Sequence, residues 1–313
     1  MEKKYAFGVD IGGTSVKMGL FDADGVVLEK WEIPTNTADG GKAVLPDIAA
    51  SIDEKLAQKN IVREEIIGIG MGVPGPVDNH GNVLRCVNLG WGFFNVEETL
   101  SGMTGMKVRA GNDANVAALG EMWKGGGKGH KSIVMVTLGT GVGGGVIVDG
   151  RILAGANGAG GEIGHMPVNK HETERCGCGN RGCLEQYASA TGIVRMARIK
   201  LEQTDCQTVL RGIEKPTAKD VLDAAKAGDK IGLELLDELG ERLGTALARI
   251  AVVCNPEVFV IGGGVSRAGT ILTGAIEKHF KEKAFHAIAE TPIVLAELGN
   301  DAGMYGGVKM VLS

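Results

Sequence analysis

Apolar residues along this chain fall into short runs broken by glycine turns, and the runs occur in two similar sets. Residues 5–9 run into a Gly-Gly turn, residues 16–21 form a second apolar run, and a DADG turn at 22–25 leads to a third run near 26–29. Short β-type runs punctuated by Gly and Asp predict three strands in a meander. Helical spacing follows over 43–59, a buried strand over 66–72, and a strand over 107–110 that passes through GNDAN into a helix ending near residue 123. Then the first pattern returns. Residues 132–138 read as a strand, LGTGVGGG as its Gly turn, 146–148 as a second strand, and DGRILAG as a further turn and strand. Helices are expected over 188–201, 217–227, 229–254 and 270–283, and strands over 256–261 and 291–298. A closing helix over 301–311 has small residues (AGMYGG) that predict close backbone packing. The GGGKG run at 125–129 reads as a hinge between two α/β halves.

Length and composition agree with that division. A chain of 313 residues suggests about two domains, and 44% hydrophobic with 23% charged residues describes an ordinary globular protein. Glycine is the outlier: 51 residues is about twice the usual share of roughly 7%. These glycines gather in short loops after apolar runs, where backbone can approach a ligand closely. A net charge of −5 offers no footprint for nucleic acid or an anionic membrane. No apolar run reaches the roughly 18 residues of a membrane-spanning helix, and MEKKYAFGVD contains no signal-peptide core. Cys86, Cys206 and Cys254 stand apart in apolar surroundings and read as reduced core thiols, so a cytoplasmic location is expected.

The densest chemistry lies in residues 160–186, GGEIGHMPVNKHETERCGCGNRGCLEQ. His165, Cys176, Cys178 and Cys183 make a Cys₃His set suited to a tetrahedral structural zinc. C-x-C is tighter than the usual zinc spacing, so reactive thiols or a disulfide with one thiol over remain open. Glu162 and Glu185 flank the set and are placed either to meet a ligand or to be solvated loop charges. The turn DIGGT offers backbone N–H groups as an anion cradle, with Asp10 able to hold magnesium through water and Thr14 able to donate to a phosphate. An Asx-type turn with no ligand is the alternative. GMGVPG at 70–75 has G-x-G-x-x-G spacing, but Pro74 and Pro76 cannot open the helix a dinucleotide fingerprint requires, so Gly75 reads as part of a substrate loop. NLGW at 88–91 is either a lid or a packed turn. Asp113 sits at a strand-to-helix transition, where it or Asn112 would serve as N-cap if neither has another task. The glycines at 262–264 allow an adenine and ribose to lie against the backbone.

Six motifs in order then add up to a resemblance: DIGGT at 10–14, GNDAN at 111–115, LGTGVGGG at 138–145, GGEIGH at 160–165, CGCGNRGCLEQ at 176–186 and GGGVS at 262–266. Together they resemble the ROK family (repressor, open reading frame, kinase) of sugar kinases over the full length. NLGW and NDANVAALGEMWKG are most similar to the ATP-dependent kinases of Gram-positive bacteria that act on glucose. The resemblance implies a two-domain actin/hexokinase-like (ribonuclease H-like) α/β ATPase fold with duplicated βββαβα cores and an interdomain cleft. The expected division is a small domain over 1–122, completed by 300–313, and a large domain over 123–299. It implies phosphorylation of D-glucose to glucose 6-phosphate with Asp113 as general base. Asn112, Glu162, His165, Glu185, Gly75 and Asn88 are the implied sugar contacts, and His165 serves zinc through one ring nitrogen and sugar through the other. Asp10, Gly12, Gly13, Thr14, Lys17, Gly139, Thr140, Gly141, Val142, Gly143, Gly263 and Gly264 become the ATP contacts. ATP with Mg²⁺ and a structural Zn²⁺ are the implied cofactors, sugar and ATP the partners, and a homodimer the expected assembly, with neither nucleic acid nor membrane engaged. Kinases for N-acetylmannosamine, mannose or fructose, and polyphosphate users, share these motifs. A sugar-responsive regulator is the contrasting reading. It is disfavoured by the negative charge and by a first strand that begins at Tyr5, leaving no room for a DNA-binding segment.

Overall fold

The computed structural model describes residues 2–313. Its strands are β1 (Tyr5–Ile11), β2 (Ser15–Asp22), β3 (Val27–Pro34), β4 (Ile66–Val73), β5 (Asn82–Val83), β6 (Phe94–Asn95), β7 (Val108–Asn112), β8 (Ile133–Leu138), β9 (Val142–Val148), β10 (Arg151–Ile152), β11 (Val258–Gly262) and β12 (Ile293–Leu295). Two five-stranded sheets have the same plan, β3-β2-β1-β4-β7 and β10-β9-β8-β11-β12. In the first, β1, β2 and β3 pair antiparallel while β4 and β7 join parallel to β1. In the second, β9 and β10 pair antiparallel while β11 and β12 continue parallel from β8. The repeat read from the two Gly turns is therefore a repeat of topology.

Contacts divide the chain into two compact units: residues 1–131, 145–161 and 298–313, and residues 132–144 with 162–297. The first unit is larger than the expected 1–122 plus 300–313. The reason lies in β9. A Cβ at Gly145 would stand 2.4 Å from Ala118 Cβ and 2.7 Å from the Ala114 carbonyl. Asn115, itself buried, donates to the Gly160 carbonyl at 3.0 Å and accepts from Val146 N–H at 3.4 Å. The helix Asp113–Lys124 thus ties residues 145–161 to the first unit.

One face of the first sheet packs Phe7, Val9, Ile11 and Met18 against Ile48 and Ile52 of the helix Val44–Lys59. The other face receives the closing helix Ala302–Leu312, whose Met304, Val308 and Val311 meet Ala6 and Phe21. The small residues act as expected: a Cβ at Gly70 would lie 1.7 Å from the Gly307 carbonyl, and one at Gly306 1.7 Å from the Val116 carbonyl. Backbone meets backbone there, and no side chain fits between.

Several local expectations shift. The last strand is three residues, Ile293–Leu295, rather than 291–298, and pairs with Phe259–Ile261 of β11. The second strand after the Gly turn begins at Val142, not 146, because its glycines continue the strand. Of the three lone cysteines, only Cys86 is buried; Cys206 and Cys254 are half-exposed. The 125–129 run is a tethered turn. Gly125 and Gly127 donate to the Glu121 carbonyl, each at 3.0 Å, and Gly126 N–H donates to the Glu121 carboxylate at 2.9 Å.

Candidate functional site

In the second unit the site grows from one short turn. Ile163–His165 is a 3₁₀ turn pressed so closely on the start of β9 that a Cβ at Gly164 would lie 2.1 Å from the Val142 carbonyl. Only glycine fits, and its place fixes the short turn that carries His165 at its end and Glu162 at its N-cap. The His165 ring faces two ways: Nδ1 lies 3.8 Å from Cys176 Sγ, and Nε2 lies 3.9 Å from a Glu162 carboxylate oxygen. Residues 176–183 form a tight knuckle in which Cys176 N–H donates to the Asn180 carbonyl and Gly179 N–H to the Cys176 carbonyl, both at 2.8 Å. The ligating atoms of His165, Cys176, Cys178 and Cys183 all lie within 4.8 Å of one another.

This cluster fits a structural zinc. All three cysteines are free thiols. Burial pushes the Cys183 thiol up to about 12 and raises that of Cys176, while the backbone N–H of Asn180 lowers that of exposed Cys178. Buried thiols in such a place ionise when a divalent cation stands beside them. Behind the knuckle, residues with no motif of their own hold it. Tyr187 donates to Glu172 at 2.5 Å and accepts from Asn169 at 2.8 Å, and Arg195 pairs with Glu172 at 2.8 Å. Glu172, Tyr187 and Arg195 were not legible as site residues, because nothing local marks a supporting network.

Glu185 joins this centre to the Gly turn between β8 and β9. One carboxylate oxygen lies 3.8 Å from Cys176 Sγ, and the other accepts the Val142 N–H at 3.0 Å. In that turn Gly139 N–H closes on the Gly141 carbonyl at 3.0 Å. The N–H groups of Thr140 and Gly141 have no protein partner among the described residues, and Gly143 continues into β9. Gly263, at φ +83°, lies against the end of β8, where a Cβ would stand 2.5 Å from the Leu138 carbonyl; a Cβ at Gly264 would meet open space.

The first unit repeats the device. Gly12 N–H closes on the Ser15 carbonyl at 3.0 Å, leaving Gly13 and Thr14 N–H without a protein partner among the described residues. A turn whose backbone N–H groups lack a protein partner can accept an anion's oxygens. Asp10 stands at the end of β1, opposite Lys17 on β2, whose Nζ reaches the Asn300 carbonyl at 3.5 Å. Burial raises the Asp10 carboxyl from 3.8 to about 6, against the pull of Lys17 and with a push from Asp113. Its carboxylate rests on Gly303, where a Cβ would lie 2.6 Å from Cγ.

The capping question at the start of the helix Asp113–Lys124 has a clear outcome. Asn112 is the N-cap, its Oδ1 accepting Asn115 N–H at 3.2 Å. Asp113 is the first helical residue, and its Oδ1 accepts Ala114 N–H at 2.8 Å and Asn112 Nδ2–H at 3.0 Å. Asn112 also donates to the Gly75 carbonyl at 3.2 Å, with Gly75 at φ +134°. Asn88 is exposed on the 3₁₀ turn Val87–Leu89, and Trp91 beside it is buried, donating to the Gly41 carbonyl at 3.0 Å. The NLGW loop is therefore anchored by its tryptophan.

The ROK family matches residues 6–313 of this chain. The glucokinase of Halalkalibacterium halodurans is 44% identical over 98% of this chain and 94% of its own length. The glucokinase of Thermotoga maritima is 38% identical over 99% of this chain and 98% of its own length. Among solved structures, a ROK family glucokinase from Streptomyces griseus, in complex with glucose and AMPPNP, is similar with a TM-score of 0.74 and 31% identity, covering 98% of each chain.

Proposed function

The chain belongs to the ROK family, and on that premise we propose that it transfers the terminal phosphoryl group of ATP to D-glucose, giving glucose 6-phosphate and ADP. The observation that carries the reading is the carboxylate of Asp113. Two donors orient it, and Asn112 relieves it of capping the helix. Full-length similarity to glucokinases supports the choice of ATP and glucose.

In this reading Asp113 accepts the proton of the glucose 6-hydroxyl as that oxygen attacks the γ-phosphorus and the bond to ADP breaks. Asn112, Glu162, His165 and Glu185, with Gly75 and Asn88, meet the remaining hydroxyls, which both donate and accept. The N–H groups of Gly13, Thr14, Thr140 and Gly141 receive phosphate oxygens, with Asp10, Gly12, Lys17, Gly139, Val142, Gly143, Gly263 and Gly264 shaping the nucleotide's surroundings. Mg²⁺ brought with ATP supplies charge neutralisation on the phosphates, and Asp10 is the carboxylate to hold it. Zinc held by His165, Cys176, Cys178 and Cys183 fixes the imidazole so that its other nitrogen can face sugar. The assembly in this reading is a cytoplasmic homodimer, and the net charge of −5 argues against binding nucleic acid or an anionic membrane. Among the described residues no helix is long and apolar enough to cross a membrane.

The test is a panel of glucose, mannose, fructose and N-acetylmannosamine crossed with ATP and polyphosphate. ATP with glucose is expected to give the highest kcat/KM. A better rate with N-acetylmannosamine would remove the glucose assignment, and no transfer to any sugar would remove the reading.

A further inference from the structure

Three consecutive peptide planes in the Gly turn between β8 and β9 are held from one side by residues 185–191. Ala190 N–H donates to the Gly139 carbonyl at 2.8 Å. The Thr191 hydroxyl donates to the Thr140 carbonyl at 2.9 Å. Glu185 accepts Val142 N–H at 3.0 Å. A trans peptide is planar, so its carbonyl and its N–H point in opposite directions. Fixing the Gly139 carbonyl therefore aims the Thr140 N–H away from residue 190, and fixing the Thr140 carbonyl does the same for the Gly141 N–H. Those are the two turn donors without a protein partner among the described residues.

The holding segment is itself rigid. Ser189, fully buried, caps the helix Ala190–Gln203 by accepting Gly192 N–H at 2.9 Å, and its hydroxyl donates to the Glu185 carbonyl at 2.7 Å. At its other end the segment starts two residues after Cys183. A Cβ at Gly141 would lie 2.4 Å from the Glu185 carboxylate, so the turn and the carboxylate are fitted to each other.

We propose that residues 185–191 are a clamp that aims the Thr140 and Gly141 N–H groups at the nucleotide phosphates, with Thr191 as a positioning residue and Glu185 linking the sugar ligands to the turn. The inference rests on the kinase reading above and extends it. Sugar on Glu185 steadies the acceptor of the Val142 N–H, and phosphate on the turn steadies Glu185. Each substrate therefore tightens the other, a reciprocity that linkage requires of any such coupling.

Thr191→Val keeps the shape and removes the donor. A single neutral hydrogen bond of this kind corresponds to a change of about three- to tenfold. AMPPNP affinity by calorimetry and KM for ATP are expected to weaken by about that factor, while glucose affinity without nucleotide stays within about twofold. The tightening of glucose by AMPPNP should shrink, and Thr191→Ser should restore all of it. Wild-type affinity for AMPPNP in the Val variant, or an equal loss of glucose and AMPPNP binding that Ser does not repair, overturns the clamp. A wild-type protein that binds neither glucose nor AMPPNP overturns both the clamp and the kinase reading, whereas a clamp failure alone leaves wild-type turnover intact.

Discussion

Replacing Asp113 by Asn separates the proton-accepting role from the two hydrogen bonds its Oδ1 accepts. Asn112 caps the helix through Asn115 N–H, so the cap itself does not depend on residue 113. The two bonds into Asp113 Oδ1, at 2.8 Å from Ala114 N–H and 3.0 Å from Asn112 Nδ2–H, can both be kept by the amide oxygen of Asn. What disappears is the negative charge and the ability to take a proton. Charge-assisted hydrogen bonds become neutral ones, a change of about 1 kcal/mol, or a few degrees of Tm. Turnover should fall far more. General-base catalysis is worth about 10²–10⁴-fold, or roughly 3–5 kcal/mol of barrier at about 1.4 kcal/mol per factor of ten. Glucose affinity rests mainly on other side chains and should change by less than about tenfold. The assay is kcat by a coupled reaction, run beside glucose calorimetry and thermal unfolding on one preparation. If the variant retains more than about a tenth of wild-type kcat, Asp113 is not the base, and the observation carrying the proposed function is lost.

Other outcomes follow from the same structure. The Asp10 carboxyl, raised from 3.8 to about 6 by burial, works against folding whenever it is ionised in the native state. The sign is opposite to that of a salt-bridged carboxylate: the cost is fully present above about pH 6, falls as pH drops through that value, and is gone below the unfolded value of 3.8. Asp10→Asn should therefore be more stable than wild type at pH 8, by up to roughly 3 kcal/mol, with the gap closing towards pH 4, while Mg-ATP binding is lost; parallel melts across pH decide it. Gly306→Ala puts a Cβ 1.7 Å from the Val116 carbonyl, which backbone cannot yield, and should cost about 3 kcal/mol or some 6–12 °C of Tm. Gly102→Ala, in open space on a helix, should be neutral or slightly stabilising in the same melts. Cys183→Ser should remove about one zinc per chain and weaken glucose binding about 10–100-fold; a full zinc complement by elemental analysis would contradict it.

The two Gly turns were legible because glycine after an apolar run is a local signal, and the repeat they revealed proved to be a repeat of sheet order. The Cys₃His cluster was legible for the same reason, since its donors lie close in sequence. Asn112 and Asp113 were not separable in advance: both side chains suit a cap, and only the reach of Asn112 to Asn115 decides between them. The clamp at Ser189 and Thr191 left no readable mark, because its partners in the turn lie some fifty residues earlier. The helix expected over 188–201 runs through Ser189, and its role as the cap of a helix starting at Ala190 appears only in the structure.

The closing helix has a bearing on how the protein is made. Its glycine face completes the first unit, yet roughly 170 residues separate it from residue 131. At about 5–20 residues per second of synthesis, that interval is on the order of 10–30 s. Throughout it, Gly8, Gly70 and Gly120, with Ala6 and Phe21, present a groove that nothing yet fills. The first sheet must therefore wait, with an apolar face bare, for a helix still to be translated. During that interval, holding by chaperones, or pairing with the same groove on another nascent chain, competes with correct closure.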